Sequence, residues 1–176
     1  MNNLLKMDMQ RYADGRMPMF QRFFRLAQKG GICKLVFKPL FVLERNKRCI
    51  DLSIETKIGG GCYFGHASGI TINPHAMIGS NVNIHKGVTI GRENRGSRKG
   101  VPVIGNDVWI GINAVIVGNV KIGNDVMIAP NSFVNFDIPD HSIVIGNPSA
   151  VKSKMFATEG YINHRISISN ENMKEL

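Results

Sequence analysis

The sequence predicts an all-β core in which short strands coil into a β-helix. Its main sign is a branched apolar residue that returns every six positions between about Ile58 and Val134. This period fits neither an amphipathic helix nor a single strand, and it is typical of hexapeptide-repeat β-helices. The repeating positions are Ile72, Ile78, Ile84 and Ile90 in one series, and Ile104, Ile110, Ile116, Ile122, Ile128 and Val134 in a second. Each hexad is expected to give one strand with its Ile or Val pointing inward, and one corner.

The corners are predicted from the small residues that follow the repeating positions. Gly105-Asn106-Asp107 and Gly123-Asn124-Asp125 are the clearest examples. Glycine and short polar residues tolerate a positive φ better than other residues do. We therefore expect these triplets to turn the chain from one strand into the next.

Two interruptions of the six-residue rhythm mark the places where chemistry is expected. The step from Phe64 to Ile72 is eight residues long and contains His66. The step from Ile90 to Ile104 is fourteen residues long, so Arg92 to Gly100 is predicted to loop out of the stack. Loops on a rigid frame commonly carry function, so both interruptions are candidate parts of a site.

Residues 1–48 differ from the repeats and predict a short α-helical N-terminal cap. An amphipathic helix is indicated by apolar residues at helical spacing among basic ones, and Gly30-Gly31 is expected to end it. A second apolar segment runs from Ile32 to Leu43 and is expected to bend at Pro39. We expect both to cover the open end of the stack, since an exposed strand edge invites aggregation. The alternative is peripheral attachment to an anionic membrane.

The remaining chain is divided into a β-helix domain and a closing segment. Residues 49–151 hold the repeats, and Ile143 to Ile145 predict a further strand. Residues 152–176 are polar and aperiodic, which predicts a short closing helix and then a loose tail from Asn170 to Leu176.

Charge and composition exclude several classes of function. The formal charge is +9, but the basic residues gather in the N-terminal segment and the 92–100 loop without a nucleic-acid-binding motif, so no nucleic-acid partner is expected. The three cysteines are unpatterned and predict neither a disulfide framework nor a zinc site. The longest apolar run is too short to span a bilayer and no signal-peptide layout is present, so we expect a cytoplasmic protein.

His66 is the candidate general base. Imidazole is the natural base near neutral pH, and it needs a partner that orients its second nitrogen. Asp51 lies fifteen residues upstream, close to one coil away, and is the candidate partner. On spacing alone a structural histidine remains open as the alternative.

The chain resembles the serine acetyltransferase family of hexapeptide-repeat acyltransferases, most closely its branch that O-acetylates sugars of capsular and exopolysaccharides. The residues that carry the resemblance span about Asp51 to Lys152. They are Ile50-Asp51, Lys57-Ile58-Gly59, Gly65-His66-Ala67-Ser68-Gly69-Ile70, Gly87-Val88-Thr89-Ile90-Gly91, the run Pro102 to Gly111, Ile138-Pro139 and the run Val144 to Pro148. The His-x-x-Gly piece with Gly-Val-Thr-Ile-Gly at this distance is more specific than the hexads.

The resemblance implies a left-handed parallel β-helix that assembles as a homotrimer, with active sites between subunits. It implies that His66 takes a proton from an acceptor hydroxyl as that oxygen attacks acetyl-CoA, and that Asp51 is the paired carboxylate. No metal is implied. The matching positions for the CoA groove are Gly91, Arg92, Ile112 and Pro130.

Departures from the family pattern favour a sugar hydroxyl as acceptor. The family's Arg-His pair for serine is Gly100 and Val101 here, and an acidic residue before the histidine is Gly65. We expect Arg98 and Lys99 to meet a phosphate of CoA or of a nucleotide- or lipid-linked sugar, and His85 to help shape the acceptor pocket.

Three alternatives remain open. One is serine O-acetylation in cysteine biosynthesis, and a second is a non-catalytic β-helix scaffold. The third is a metal site of the kind found in γ-class carbonic anhydrases, which would need His66, His75 and His85 to converge. Their different phases relative to the inward isoleucines argue against it.

Overall fold

Three faces of short strands surround the apolar interior of this computed structural model, which describes residues 3–167. Face I holds β1 (Lys57–Ile58), β4 (Met77–Ile78), β7 (Val103–Ile104) and β10 (Lys121–Ile122). Face II holds β2 (Tyr63–Gly65), β5 (Asn83–His85), β8 (Val108–Ile110), β11 (Val126–Ile128), β13 (Ser142–Ile145) and β14 (Ala150–Ser153). Face III holds β3 (Thr71–Ile72), β6 (Thr89–Gly91), β9 (Val115–Val117) and β12 (Phe133–Val134). The architecture is the predicted left-handed parallel β-helix.

The strand register confirms both the hexads and their interruptions. On face I, Ile78 is paired with Ile58 on one side and with Ile104 on the other, and Ile104 is paired with Ile122. The last of these steps spans 18 residues, which is three hexads. The first spans 20 residues and the second 26, because they contain the His66 corner and the 92–100 loop. The inward residues are almost completely buried and stack coil upon coil.

The corners use the predicted residue types, and the positive φ falls on the short polar residue that ends each triplet. Asp107 and Asp125 adopt φ of 54° and 51°, whereas Gly105 does not. Gly105 is required for space, because a Cβ there would lie 2.7 Å from the carbonyl oxygen of Gly123 in the next coil. The predicted positive φ is thus confirmed at the aspartate of each triplet, and the glycine is needed for space.

Three helices precede the first coil: α1 (Asn3–Gln10), α2 (Met19–Ala27) and α3 (Gly31–Asn46). Phe20, Phe24 and Phe41 belong to the same apolar core as Ile50 and Leu52 of the first coil. The helices thus pack on the apolar residues of the first coil. Pro39 lies inside α3, which continues to Asn46, so the apolar segment is one helix.

A buried polar network ties the helices to the first coil. The Asp8 carboxylate accepts hydrogen bonds from the Arg25 side chain at 2.8 Å and from the backbone N–H of Cys62 at 2.9 Å. Arg25 also donates to the carbonyl oxygens of Ile58 and Gly59, both at 2.7 Å. Asp8 and Arg25 are 0% and 1% exposed, so both charges are balanced inside the protein.

The chain after Lys152 differs from the predicted closing helix. Residues 150–153 form β14, which pairs antiparallel with β13, because the free edge of that strand offers its backbone groups to a neighbour. Turns follow, and Asp125 accepts hydrogen bonds from the backbone N–H groups of Ala157 and Thr158. Burial alone would raise the pKa of Asp125, but hydrogen bonds from Thr158 and His141 outweigh it and lower that pKa. The predicted tail at 170–176 lies outside the described residues.

Candidate active site

His66 occupies the widened corner between β2 and β3, at the edge where faces II and III meet. Its φ is +51°, and its side chain is exposed, whereas the neighbouring Ala67 is buried and anchors the corner. Asp107 and Asp125 adopt the same conformation at their corners, so the exposed ring and the added length of this corner distinguish His66, not its φ. The two extra residues of this coil therefore present an imidazole outward from a rigid frame.

His66 lines a cavity of about 300 Å³ that carries charges of both signs. Arg16 and Arg48 contribute guanidinium groups to its wall, and Asp14 contributes a carboxylate that lies 3.6 Å from Arg16. None of these three residues was a candidate in the sequence. They come from the loop after α1 and from the end of the helical segment, and no spacing or motif links them to His66.

Asp51 lies on the neighbouring coil but does not contact His66 in this conformation. Asp51 bridges Thr71 in the strand ladder, and its exposed carboxylate lies 3.7 Å from the guanidinium of Arg45. Within residues 3–167, no hydrogen bond or ion pair joins Asp51 to His66. The expected carboxylate–imidazole pair thus remains a prediction.

His85 packs directly behind the catalytic candidate. A Cβ at position 65 would lie 2.4 Å from Nδ1 of His85, so Gly65 leaves the space that the His85 ring fills. Burial first, and then the charge of a protonated His66, lower the pKa of His85. The ring is therefore neutral near pH 7, and its buried Nε2 has no hydrogen-bond partner among residues 3–167.

An aromatic trough adjoins the His66 cavity on face II. We define the trough by Tyr63, His85, Trp109 and Tyr161, which line a cavity of about 440 Å³. The Trp109 ring lies 4.8 Å from that of His85 and 5.2 Å from that of Tyr161, measured between centroids. Tyr12, Asp14 and Tyr63 line both this trough and the His66 cavity. Trp109 is not a candidate on sequence grounds, because a residue inside a hexad is expected to fill space.

The predicted CoA and phosphate residues fall on two different edges of the stack. Ile112 and Pro130 follow β8 and β11, on the same edge as His66. Gly91 and Arg92 lie at the end of β6, on the edge between faces III and I. Arg98 and Lys99 are exposed in the 92–100 loop on that second edge, and Asn119 N–H donates to the Arg98 carbonyl. One chain alone therefore does not bring all the predicted site residues together.

Two further findings concern metal binding and membrane spanning. Across residues 3–167, no group of three or more His, Cys, Asp or Glu side chains is placed to hold a metal ion. In the same part of the chain, no helix is long and apolar enough to cross a membrane.

Comparison with known proteins shows what the repeats are similar to. The bacterial transferase hexapeptide (six repeats) family model matches residues 102–135, within the coils described above. This match spans 34 of the 176 residues and agrees with the three-faced coil, so these coils are similar to those of hexapeptide-repeat transferases.

Similar proteins of known name include serine acetyltransferases. Serine acetyltransferase 4 of Arabidopsis thaliana is 39% identical over 100 residues, which cover 57% of this chain and 28% of the Arabidopsis protein. The chain therefore spans less than a third of that relative's length. The structure of serine acetyltransferase from Brucella abortus strain S19 is 26% identical with a TM-score of 0.71, covering 88% of this chain and 70% of that one. A serine acetyltransferase in complex with CoA is 25% identical with a TM-score of 0.68, covering 85% and 68%.

Proposed function

We propose that this protein is an acetyl-CoA-dependent O-acetyltransferase whose acceptor is serine. The observation that carries the proposal is His66, exposed at the widened corner and facing a cavity with charges of both signs. His66 takes the proton of the acceptor hydroxyl while that oxygen bonds to the thioester carbon. The carbon–sulfur bond then breaks, and the CoA thiolate leaves with the proton that the imidazolium returns. The similar serine acetyltransferase that binds CoA supports the donor.

Serine fits the charges around His66. The carboxylate of a free amino acid would be met by Arg16 and Arg48, and its ammonium group by Asp14. This corrects the argument from Gly100 and Val101: the loss of one Arg-His pair does not leave the site without groups for a zwitterion. The names of the relatives favour the same acceptor.

Assembly completes the proposed site. A homotrimer would set the His66 edge of one subunit against the 92–100 loop of the next, so that Ile112 and Pro130 share a CoA groove with Gly91 and Arg92. In that groove, Arg98 and Lys99 would meet the phosphates of CoA.

Asp51 is proposed as the residue that positions His66. Its carboxylate is exposed and sits beside Arg45, on the coil next to the His66 corner. A change of rotamer that brings it to the imidazole would orient the ring and stabilise the imidazolium.

A sugar hydroxyl is the second candidate acceptor, and the aromatic trough is the observation in its favour. Trp109 and Tyr161 offer apolar ring faces, while Asn83 and Asp14 offer polar groups to the same cavity. Pockets of this composition suit a ring that carries hydroxyl groups. Because Tyr63 lines both cavities, a sugar in the trough would reach toward His66.

Thiol release from acetyl-CoA tests the proposal with serine, hexoses and nucleotide-linked sugars as acceptors. We expect serine to give the highest kcat/KM, and the Arg16→Gln/Arg48→Gln variant to raise its KM. Lys154→Gln, an exposed cationic residue after β14 that lines neither cavity, is the matched control. Preference for a sugar, abolished by Trp109→Ala, would replace serine with the second candidate. If acetyl-CoA is neither bound nor consumed with any acceptor, the protein is a scaffold.

A further inference from the structure

Helix α3 exposes an apolar stripe that the described residues, 3–167, leave uncovered. The stripe residues recur at helical spacing along its whole length, and large exposed apolar patches on soluble proteins usually mark an interaction surface. They are Ile32, Leu35, Val36, Leu40 and Leu43, with exposed fractions of 80%, 77%, 50%, 39% and 55%. On the other side of the helix, Phe37 stacks on Phe23 of α2 and Phe41 packs on Phe24. The helix is therefore held on the protein by one face and open on the other.

Positive charge surrounds the stripe. Lys34 and Lys38 lie on the exposed side of α3, and Lys47 and Arg48 follow its last turn, all exposed. Residues 19–48 contain eight Lys and Arg residues and one acidic residue, Glu44. The carboxylate of Glu44 lies 2.7 Å from Lys47 and so is already paired.

We propose that the α3 stripe docks on an anionic lipid surface, with the helix axis parallel to the membrane. An interfacial helix combines an apolar stripe with flanking Lys and Arg that meet lipid phosphates. Lys34 and Lys38 favour a lipid surface over a second copy of the chain as the binding partner of the stripe. Two α3 stripes packed face to face would bring Lys34 and Lys38 of both copies together, and like charges at a dry contact are costly. Anionic headgroups neutralise the same lysines instead.

This docking would orient the molecule on the surface. The α2–α3 pair covers the first coil, and Arg48, just after α3, lines the His66 cavity of that coil. The coil that carries His66 would thus be the one nearest the lipid. The inference goes beyond the proposed reaction and does not depend on which acceptor is used.

Sedimentation of the full-length protein with vesicles tests the proposal. We expect binding to vesicles of phosphatidylcholine with about 30 mol% phosphatidylglycerol and at least about tenfold weaker binding to phosphatidylcholine alone. Leu35→Ser/Val36→Ser should lower binding to the anionic vesicles by about tenfold or more. Lys34→Gln/Lys38→Gln should weaken binding and reduce its dependence on salt. The matched control, Ile145→Ser/Val151→Ser, changes two exposed apolar residues on β13 and β14 and should bind as the wild type does.

Circular dichroism and light scattering after size-exclusion chromatography measure the fold and the mass of each variant. Neither readout depends on acetyl transfer, so failure of this proposal can be told apart from failure of the proposed reaction. Each variant must keep the wild-type spectrum and mass for its binding to count. The proposal is overturned if the folded wild type does not bind anionic vesicles, or if the stripe variant binds as well as the wild type does. It is also overturned if the stripe variant has a smaller assembly mass, because the stripe is then an interface between copies.

Discussion

At the scale of single residues, His66 can be tested against another exposed histidine of the same stack. His66→Ala should lower acetyl transfer by about 10²–10⁴-fold, because the acceptor hydroxyl would lose its proposed general base. CoA affinity, measured by calorimetry, should stay near the wild-type value. His75→Ala is the matched control, since His75 is exposed and lies on the following turn. Activity of His66→Ala within a few-fold of the control would remove His66 from the mechanism.

His85 should make the stability of the protein sensitive to acid. Burial lowers its pKa below the usual 6.5, so the unfolded chain takes up a proton before the folded one does. The unfolded state then binds more protons as pH falls below about 6.5, and the free energy of unfolding decreases, while above that pH the contribution of His85 is fully present.

Urea unfolding at about pH 7.5 and about pH 5 measures this difference. In His85→Gln the loss of stability between the two pH values should be smaller than in the wild type. His75→Gln should retain the wild-type loss. Equal losses in all three proteins would mean that the His85 ring is protonated as readily in the folded chain as in the unfolded one.

At the scale of elements, the Asp8–Arg25 pair attaches the helices to the first coil. Asp8→Asn would leave the guanidinium of Arg25 buried without its counter-charge, so the unfolding free energy should fall by about 3–5 kcal/mol. Glu55→Gln, an exposed acidic residue in the turn before β1, should change it by less than about 0.5 kcal/mol. The urea midpoints of both variants provide the check. A small effect of Asp8→Asn would show that the apolar contacts of Phe20 and Phe24 suffice to hold the helices.

The repeating strands could be predicted because each hexad contains the residues that determine its own strand and corner. Ile104 and Ile122 occur 18 residues apart in sequence and are paired in space, so a local period fixed a long-range contact. The two departures from the period likewise located the His66 corner and the 92–100 loop. In both cases the information lies within a few residues of the feature.

The walls of the candidate site could not be predicted in this way. Arg16 and Tyr161 reach face II from opposite ends of the chain, and only tertiary packing brings them there. The exposed side of α3 could not be predicted from the sequence either. Phe37 and Leu35 are both apolar, and the sequence does not show which of them faces α2. Sequence periods specify the frame, whereas the site depends on segments that have no period.

At the scale of the whole molecule, the arrangement of the two edges makes a prediction about assembly. His66 lies on the edge between faces II and III, and the 92–100 loop lies on the edge between faces III and I. If each site combines the first edge of one subunit with the second edge of its neighbour, a defect in either edge disables every site of a uniform trimer. A subunit that lacks His66 still carries an intact 92–100 loop. A subunit with a defective loop likewise still carries His66.

Mixed trimers therefore test where the sites lie. His66→Ala subunits and Arg98→Ala/Lys99→Ala subunits should each be poorly active alone. In any closed ring that contains both kinds, one junction joins an intact His66 to an intact loop, whichever kind is in the majority. Random mixing at equal amounts should thus restore about a quarter of wild-type activity when the variants are co-expressed, and none when separately purified trimers are combined without exchange. Thiol release from acetyl-CoA measures both preparations. If co-expression gives only the mean of the two variants, each site is built within one subunit, and the two edges do not meet between neighbours.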